Sequence, residues 1–506
     1  MQREVVDFLS TPAAYGLRDG PVERIDTHIS VVWLVGDRAF KLKREVRFDY
    51  VDFSTVELRR VACEGEIRVN RRTAPSLYLG VRAVTRAQDG ALAIDGTGKP
   101  IDWLVEMKRF DQETLFDRLA DRHCLDIGLM EGLASTIASL HAGARIRSDR
   151  GGRAGMTWVA DGNAVGLLEH GADVVDPASC SLLATETRAA VCRHASRLDT
   201  RRRGGLVREC HGDLHLRNIC LIDGTPTIFD GVEFNDDISC IDVLYDVAFL
   251  LMDLWRRDLR AHANAVFNEY SRLTMDLDAL RLMPLFLSCR AAVCAKTSVT
   301  AAATQPDARQ RGELEAAARR YLALANSLLR PPAARLIAIG GFSGSGKSTL
   351  ARGLAPDIGA APGALIVRSD AIRKFLMGVT PLTQLGADGY TPEHTRRVYD
   401  GLAARALAAL RTGHSVVADA LFARPGDREQ IAAAARDAGV PFIGLWIDGP
   451  REVLARRIAE RPPDASDATV AVLDHQLRAG AGSVDWQHLD GASAARHVLD
   501  NATRLL

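Results

Sequence analysis

A chain of 506 residues is longer than one hydrophobic core usually sustains, so two substantial domains are expected. Hydrophobic residues at 47% and charged residues at 25% describe a soluble globular protein and exclude extended disorder. Lysine plus arginine balances aspartate plus glutamate at 64 each, so no overall field draws the chain to nucleic acid or to an anionic membrane, and partners must be selected by local sites.

The first nineteen residues carry Arg3, Glu4, Asp7 and Arg18 and contain no apolar run suited to a secretory leader. His28 to Val35, the turn Gly36-Asp37 and Arg38 to Lys43 read as a β-hairpin. Ser54-Thr55-Val56-Glu57 fits a capping box that opens a helix running to about Arg72, before Pro75. Trp103 to Met107 is a further strand, and from Gln112 onward the pattern is mainly helical. The most apolar window, Tyr245 to Leu254, is broken by Asp246 and Asp253 and reads as a buried helix; no stretch has the length of a membrane span. Nine scattered cysteines without a CxxC pair fit reduced thiols and a cytoplasmic location.

The segment His211-Gly212-Asp213-Leu214-His215-Leu216-Arg217-Asn218 has the H-x-D-x-x-x-x-N spacing of a kinase catalytic loop. Phosphoryl transfer needs a carboxylate beside the acceptor hydroxyl and an amide oxygen for a metal, which Asp213 and Asn218 supply. Pro226 to Asp230 is a short strand ending in an acid, where a second metal carboxylate belongs. These residues resemble the aminoglycoside phosphotransferase and choline kinase-like branch of the protein-kinase-like fold, over roughly residues 20 to 325. The resemblance implies that Asp213 is the base, that Asn218 and Asp230 hold Mg²⁺, and that Asp246 braces the loop. It also implies a phosphate-binding lysine in Ala39-Phe40-Lys41-Leu42-Lys43 paired with a glutamate of the next helix. Lys41 and Lys43 share a strand face, so spacing leaves both open; Lys41 is preferred, with Glu66 preferred over Glu64. No G-x-G-x-x-G covers the phosphates. The acidic residues Glu233, Asp236 and Asp237 would suit a cationic acceptor, and Arg201-Arg202-Arg203 an anionic one.

At Leu329-Arg330-Pro331-Pro332-Ala333 an alanine-rich helical pattern ends on two prolines, which sets the expected boundary between a first domain, 1–330, and a second, 333–506. Beyond it, strands at Leu336 to Ile339, Leu365 to Arg368, Ser415 to Ala418, Phe442 to Ile447 and His497 to Leu499 alternate with helices, the signature of a parallel sheet. Gly341-Phe342-Ser343-Gly344-Ser345-Gly346-Lys347-Ser348 is a complete Walker A loop followed by Thr349, so residues 341 and 343–349 are expected to bind nucleotide. Its amides face phosphate, Lys347 reaches the β- and γ-phosphates, and Ser348 ligates Mg²⁺. Two more strands end in acids at the sheet edge where ligands bind: Asp370, a candidate base with Arg373 one turn on for the acceptor, and Asp419, a candidate support for Mg²⁺. Arg457 and Arg461 share a helix face and could close over the triphosphate.

These motifs resemble the P-loop kinases that include the kinase domain of phage polynucleotide kinase, gluconate kinase and the zeta toxins, over roughly residues 335 to 500. In the polynucleotide kinase branch, Asp370 and Arg373 would face a 5′-hydroxyl and its phosphate. The order of modules resembles bacterial bifunctional aminoglycoside phosphotransferase and ATP-binding proteins. The expected fold is therefore α+β, a protein-kinase-like domain, joined to α/β, a P-loop kinase domain with a parallel sheet. The expected function is an ATP- and Mg²⁺-dependent phosphotransferase with two sites acting on small-molecule hydroxyls. The alternative is a polynucleotide 5′-hydroxyl kinase at the second site, acting on a nucleic-acid 5′ end, with a regulatory or nucleotide-sensing first domain, and no membrane is involved.

Overall fold

The computed structural model describes residues 2–48, 50–171, 173–460 and 465–506. Its contacts fall into two compact units, Met1–Gly162 with Arg188–Asp253, and Asn163–Thr187 with Leu254–Leu506. The fold is mixed α/β.

The first unit opens on a six-stranded antiparallel sheet in the order Glu23–Asp26, Ser30–Val35, Arg38–Lys43, Lys99–Lys108, Tyr78–Arg86, Leu92–Ile94. Val35 pairs with Arg38, so Gly36-Asp37 is a two-residue hairpin turn, with Gly36 at φ 55°. Alternation buries Val31, Trp33, Leu42, Val84 and Leu104 against Val5 and Leu9 of the N-terminal helix. The helix Val56–Asn70 is capped by Thr55, whose side chain accepts from the Leu58 amide; Ser54 instead bonds Asp52, so the cap lies one residue later than the sequence pattern suggests. The helix lays Cys63 against Tyr78 and Val105 of the sheet. The segment His211–Asn218 is set between two short antiparallel ladders, Val207–Glu209 with Cys240–Asp242 and Ile219–Ile222 with Thr225–Ile228. The small antiparallel lobe thus packs two helices, Gln2–Leu9 and Val56–Asn70, and precedes a loop set between short strands.

The second unit contains a five-stranded parallel sheet in the order Leu365–Arg368, Val416–Asp419, Leu336–Gly341, Phe442–Asp448, Gln487–Asp490. Ile337, Ile339, Val417, Leu445 and Ile447 form one buried face under Leu350, Leu354, Val498 and Ala502. The expected strand at His497 to Leu499 is corrected: those residues belong to the helix Ala495–Arg504. Val498 and Ala502 recur one turn apart and are buried, which is the period of a packed helix. The fifth strand is Gln487–Asp490, which escapes detection because it is an edge strand with Leu489 as its one buried residue.

Within this unit the helix Arg260–Thr274 is fixed to the edge strand of the sheet. Asn264 Nδ2 donates to the carbonyls of Pro362 and Ala364 at 3.1 and 3.0 Å, and Asn268 Oδ1 accepts from the Ile366 amide at 2.6 Å. Two amide side chains thus take the hydrogen bonds that another strand would supply. His414 completes the seam, bonding the Gly363 carbonyl at 2.8 Å beside the Phe267 ring. Among the described residues no helix is long and apolar enough to cross a membrane.

Candidate active sites

In the first unit, Lys41 and Lys43 lie two residues apart on one strand and both reach Glu66, which has no exposed surface. Lys41 Nζ is 2.9 Å from Glu66 Oε1 and 2.5 Å from Asp230 Oδ1. Lys43 Nζ meets the other Glu66 oxygen and lies 2.5 Å from Glu233. Burial disfavours the charge on each lysine, but the carboxylates outweigh it and both are raised above the ordinary lysine range. Burial also opposes charge on Glu66, yet the two ammonium groups pull it down to about 2. Glu64 is turned outward to Arg60 at 2.5 Å. Glu233, which the sequence placed in an acidic surface cluster, is the buried counter-ion of Lys43. Its neighbours Asp236 and Asp237 pair with Arg147 and Arg150 at 2.9 and 2.7 Å. Arg201 is buried against Asp242 at 2.6 Å.

The loop His211–Asn218 is held by Asp246. Its fully buried carboxylate accepts from the amides of His211 and Gly212 at 3.1 and 2.8 Å and lies 3.0 Å from His141 Nε2. Gly212 takes φ 84°, and a Cβ there would press on the Ile238 carbonyl at 3.1 Å, so glycine is required. Asn218 Nδ2 donates to Asp213 Oδ2 at 3.0 Å and to the Asp213 carbonyl at 2.9 Å, which brings the proposed base and metal amide together. His215 stands 3.3 Å from Asp213; burial opposes its charge, but Asp213 raises it above the ordinary histidine value. Asp230 takes φ 60°, an uncommon conformation for a side-chain-bearing residue, and its amide donates to the Tyr78 hydroxyl at 3.0 Å. The next amide, Gly231, donates to Asn70 at 2.7 Å. Tyr78, Asn70 and His141 have no sequence signal beyond their polarity, because each acts through a distant segment.

In the second unit, the Walker A loop joins the strand Leu336–Gly341 to the helix Lys347–Leu354. Gly344 has φ 79°, and a Cβ there would collide with the Leu454 carbonyl. Lys347 Nζ donates to the Phe342 carbonyl at 3.0 Å, and the Ser343 amide is met by Gln476 at 2.9 Å. Parallel register sets Asp419 beside both Ile339 and Arg368. The Ser348 hydroxyl donates to Asp419 Oδ2 at 2.6 Å, and Arg368 lies 3.2 Å from Ser348 and 3.4 Å from Asp419. Arg368 is a site residue that no motif marks; its place at the end of the strand that leads to Asp370 is its one sequence signal.

Asp370 sits in the first turn of the helix Ser369–Leu376, so it is not the helix cap. Burial pushes its carboxyl above the ordinary range, with Asp419 adding to the rise while Arg368, Lys347 and a hydrogen bond from Ser466 act against it. Arg373 donates to the Gly389 carbonyl at 2.7 Å and stacks over Tyr390 at 4.6 Å. In this arrangement it organises the segment around residue 389. Arg457 donates to the carbonyls of Gly491 and Ser493 at 2.6 and 3.2 Å. Arg461 lies outside the described residues. Ser348 and Asp419 meet as oxygen groups, which suit a hard cation such as Mg²⁺; Asn218 and Asp230 offer oxygen groups of the same kind.

Residues 336–481 match the family model described as an AAA domain. An uncharacterized protein of Mycobacterium tuberculosis is 29% identical over 486 residues, covering 94% of this chain and 92% of that protein. The adenylyl-sulfate kinase of Myxococcus xanthus is 31% identical over 117 residues, 23% of this chain and 59% of that enzyme. Among solved structures, a choline/ethanolamine kinase family protein from Mesorhizobium loti covers 64% of this chain and 99% of its own, at 14% identity and a TM-score of 0.38. The similarity to the AAA domain family thus lies in residues 336–481, within the second unit.

Proposed function

We propose that the chain is an ATP-dependent phosphotransferase with two kinase-type sites, each moving the γ-phosphoryl group to the hydroxyl of a small-molecule acceptor, with Mg²⁺ as the metal. The observation that supports this most is that each unit assembles, from its own residues, a candidate base, a lysine and a pair of oxygen donors for a metal. In the first unit these are Asp213, Lys41, Asn218 and Asp230; in the second, Asp370, Lys347, Ser348 and Asp419.

Mg²⁺ held at either donor pair would offset the charge that gathers on the phosphate oxygens. Lys41, oriented by Glu66, and Lys347, at the start of its helix, bind the phosphates of their respective nucleotides. The amides of residues 343–349 surround phosphate at the positive end of the helix Lys347–Leu354. Asp213, positioned by Asn218, orients the acceptor hydroxyl of the first site and takes its proton. Asp370 does the same in the second. The raised affinity of Asp370 for a proton brings it nearer the working range of a general base. Nine free cysteines accord with a reducing, cytoplasmic setting.

The test is a broad acceptor screen with ATP, including 5′-hydroxyl oligonucleotides, on the wild type and on Asp213→Ala and Asp370→Ala. Each substitution should remove a different phosphorylated product. A screen in which ATP-dependent products survive both changes would overturn the two-site reading.

A further inference from the structure

The helix Val470–Ala479 turns a polar side chain toward the nucleotide loop. Leu473 is its buried residue, and Gln476 follows one turn later on the same face, while Ala471, Val472, His475 and Arg478 are exposed. Gln476 Oε1 accepts from the Ser343 amide at 2.9 Å. Contacts at both ends and along its side hold the helix in this place. Thr469 caps it through the Val472 amide, and Arg451 grips Asp474 with two nitrogens at 2.6 and 2.9 Å. Beyond its end the buried Arg428 donates to the carbonyls of Ser483 and Phe422 at 2.7 and 3.0 Å, which ties the segment after the helix to the segment after the strand Val416–Asp419.

Ser343 is the third residue of the Walker A loop. The residue before it, Phe342, presents its carbonyl to Lys347 Nζ at 3.0 Å. The Gln476 carboxamide therefore stands one residue from the contact of the ammonium group that serves the β- and γ-phosphates. A carboxamide is planar, with an acceptor oxygen on one limb and two N–H donors on the other. With Oε1 held by the Ser343 amide, Nε2 is left to donate, and among the described residues no group takes it up. Successive hydrogen bonds polarise one another, so the Ser343 amide strengthens the Nε2 donors. We infer that Gln476 is a γ-phosphate-binding residue of the P-loop site, relaying the Ser343 amide through Nε2 to an oxygen of the γ-phosphoryl group. This rests on the reading of the loop as the phosphate cradle of that site. ADP has no γ-phosphoryl group, so the contact forms with ATP alone, and Gln476 is the side chain that lets the loop tell the two nucleotides apart.

The experiment uses the full chain carrying Lys41→Met, so that the second site alone is read, titrated with ADP and with a non-hydrolysable ATP analogue in the presence of Mg²⁺. Gln476→Glu keeps an oxygen for the Ser343 amide and removes the donor, whereas Gln476→Met removes both at similar length. In each variant the affinity for the ATP analogue should fall by about 10- to 100-fold, the loss expected for one hydrogen bond to a charged group, while the affinity for ADP changes little. An unchanged affinity for the analogue, a comparable loss for both nucleotides, a loss in Gln476→Glu alone, or a gain for either nucleotide overturns the inference and leaves the kinase reading intact. Failure of the chain with Gln476 in place to bind either nucleotide overturns the two together.

Discussion

The Ser348 hydroxyl donates to Asp419 Oδ2 across 2.6 Å, and Arg368 reaches both groups from the neighbouring strand end. Parallel register creates this meeting point: Asp419 is the last residue of a strand flanked by Leu336–Gly341 on one side and Leu365–Arg368 on the other. The buried Asp419 carboxylate, 4% exposed, and the Ser348 hydroxyl together offer oxygen donors to a cation, which would take over the charge that Arg368 balances here.

Asp419→Asn should therefore act through the metal. With the first site silenced by Asp213→Asn, turnover at the second site should fall by about 10²- to 10³-fold, the loss typical for one preorganised charge-stabilising group. The Mg²⁺ concentration for half-maximal rate should rise. Nucleotide affinity measured without Mg²⁺ should be unchanged, and a Mg²⁺ titration of both rate and affinity separates these effects.

Lys41 and Lys43 share Glu66 but should respond differently to substitution. Lys43 is 1% exposed and is the counter-ion of the buried Glu233, so Lys43→Met leaves a carboxylate stranded in the core. A loss of about 3–5 kcal/mol is expected, read from urea unfolding of the first unit. Lys41→Met leaves Glu66 paired with Lys43, so folding should be little affected while first-site activity falls by about 10²-fold or more.

His414 makes the second unit sensitive to acid. It is 2% exposed, and burial lowers its pKa from 6.5 to about 4, against the pull of its bond to the Gly363 carbonyl. The folded state then binds fewer protons than the unfolded one between those values. This contribution is fully present above pH 6.5 and is lost as the pH falls toward 4, by about 3 kcal/mol in all. Unfolding of the second unit followed across this range should show that slope, and His414→Gln should flatten it.

Asn264 and Asn268 bind the helix Arg260–Thr274 to the edge strand that leads to Asp370. Asn264→Leu should leave the Pro362 carbonyl without its donor at a buried seam, at a cost of about 1–3 kcal/mol. The fragment 333–506 lacks this helix altogether and should unfold at lower urea than fragment 254–506.

The two loops were legible in the sequence because each concentrates its chemistry in consecutive residues, Gly341 to Ser348 and His211 to Asn218. Their strand and helix contexts could be read from local patterns as well. The supporting groups could not. Asn264 and Asn268 carry no motif, and their partners lie about a hundred residues away in the chain. Glu233 read as a surface acid because nothing local reveals that a lysine 190 residues away is aimed at it. The strand Gln487–Asp490 was hidden by its single buried residue, while the apolar face of the helix Ala495–Arg504 imitated a strand over three positions. The double proline at 331–332 marks a seam in the chain pattern, whereas packing groups the helices after Asp253 with the parallel sheet.

The most direct test of two nucleotide sites in one chain is a calorimetric titration of the full protein with a non-hydrolysable ATP analogue and Mg²⁺. Two bound nucleotides per chain are expected, falling to one in Lys347→Ala and to one, of the other affinity, in Lys41→Met. A single nucleotide in the wild type that disappears with Lys347→Ala and persists unchanged in Lys41→Met would contradict the account.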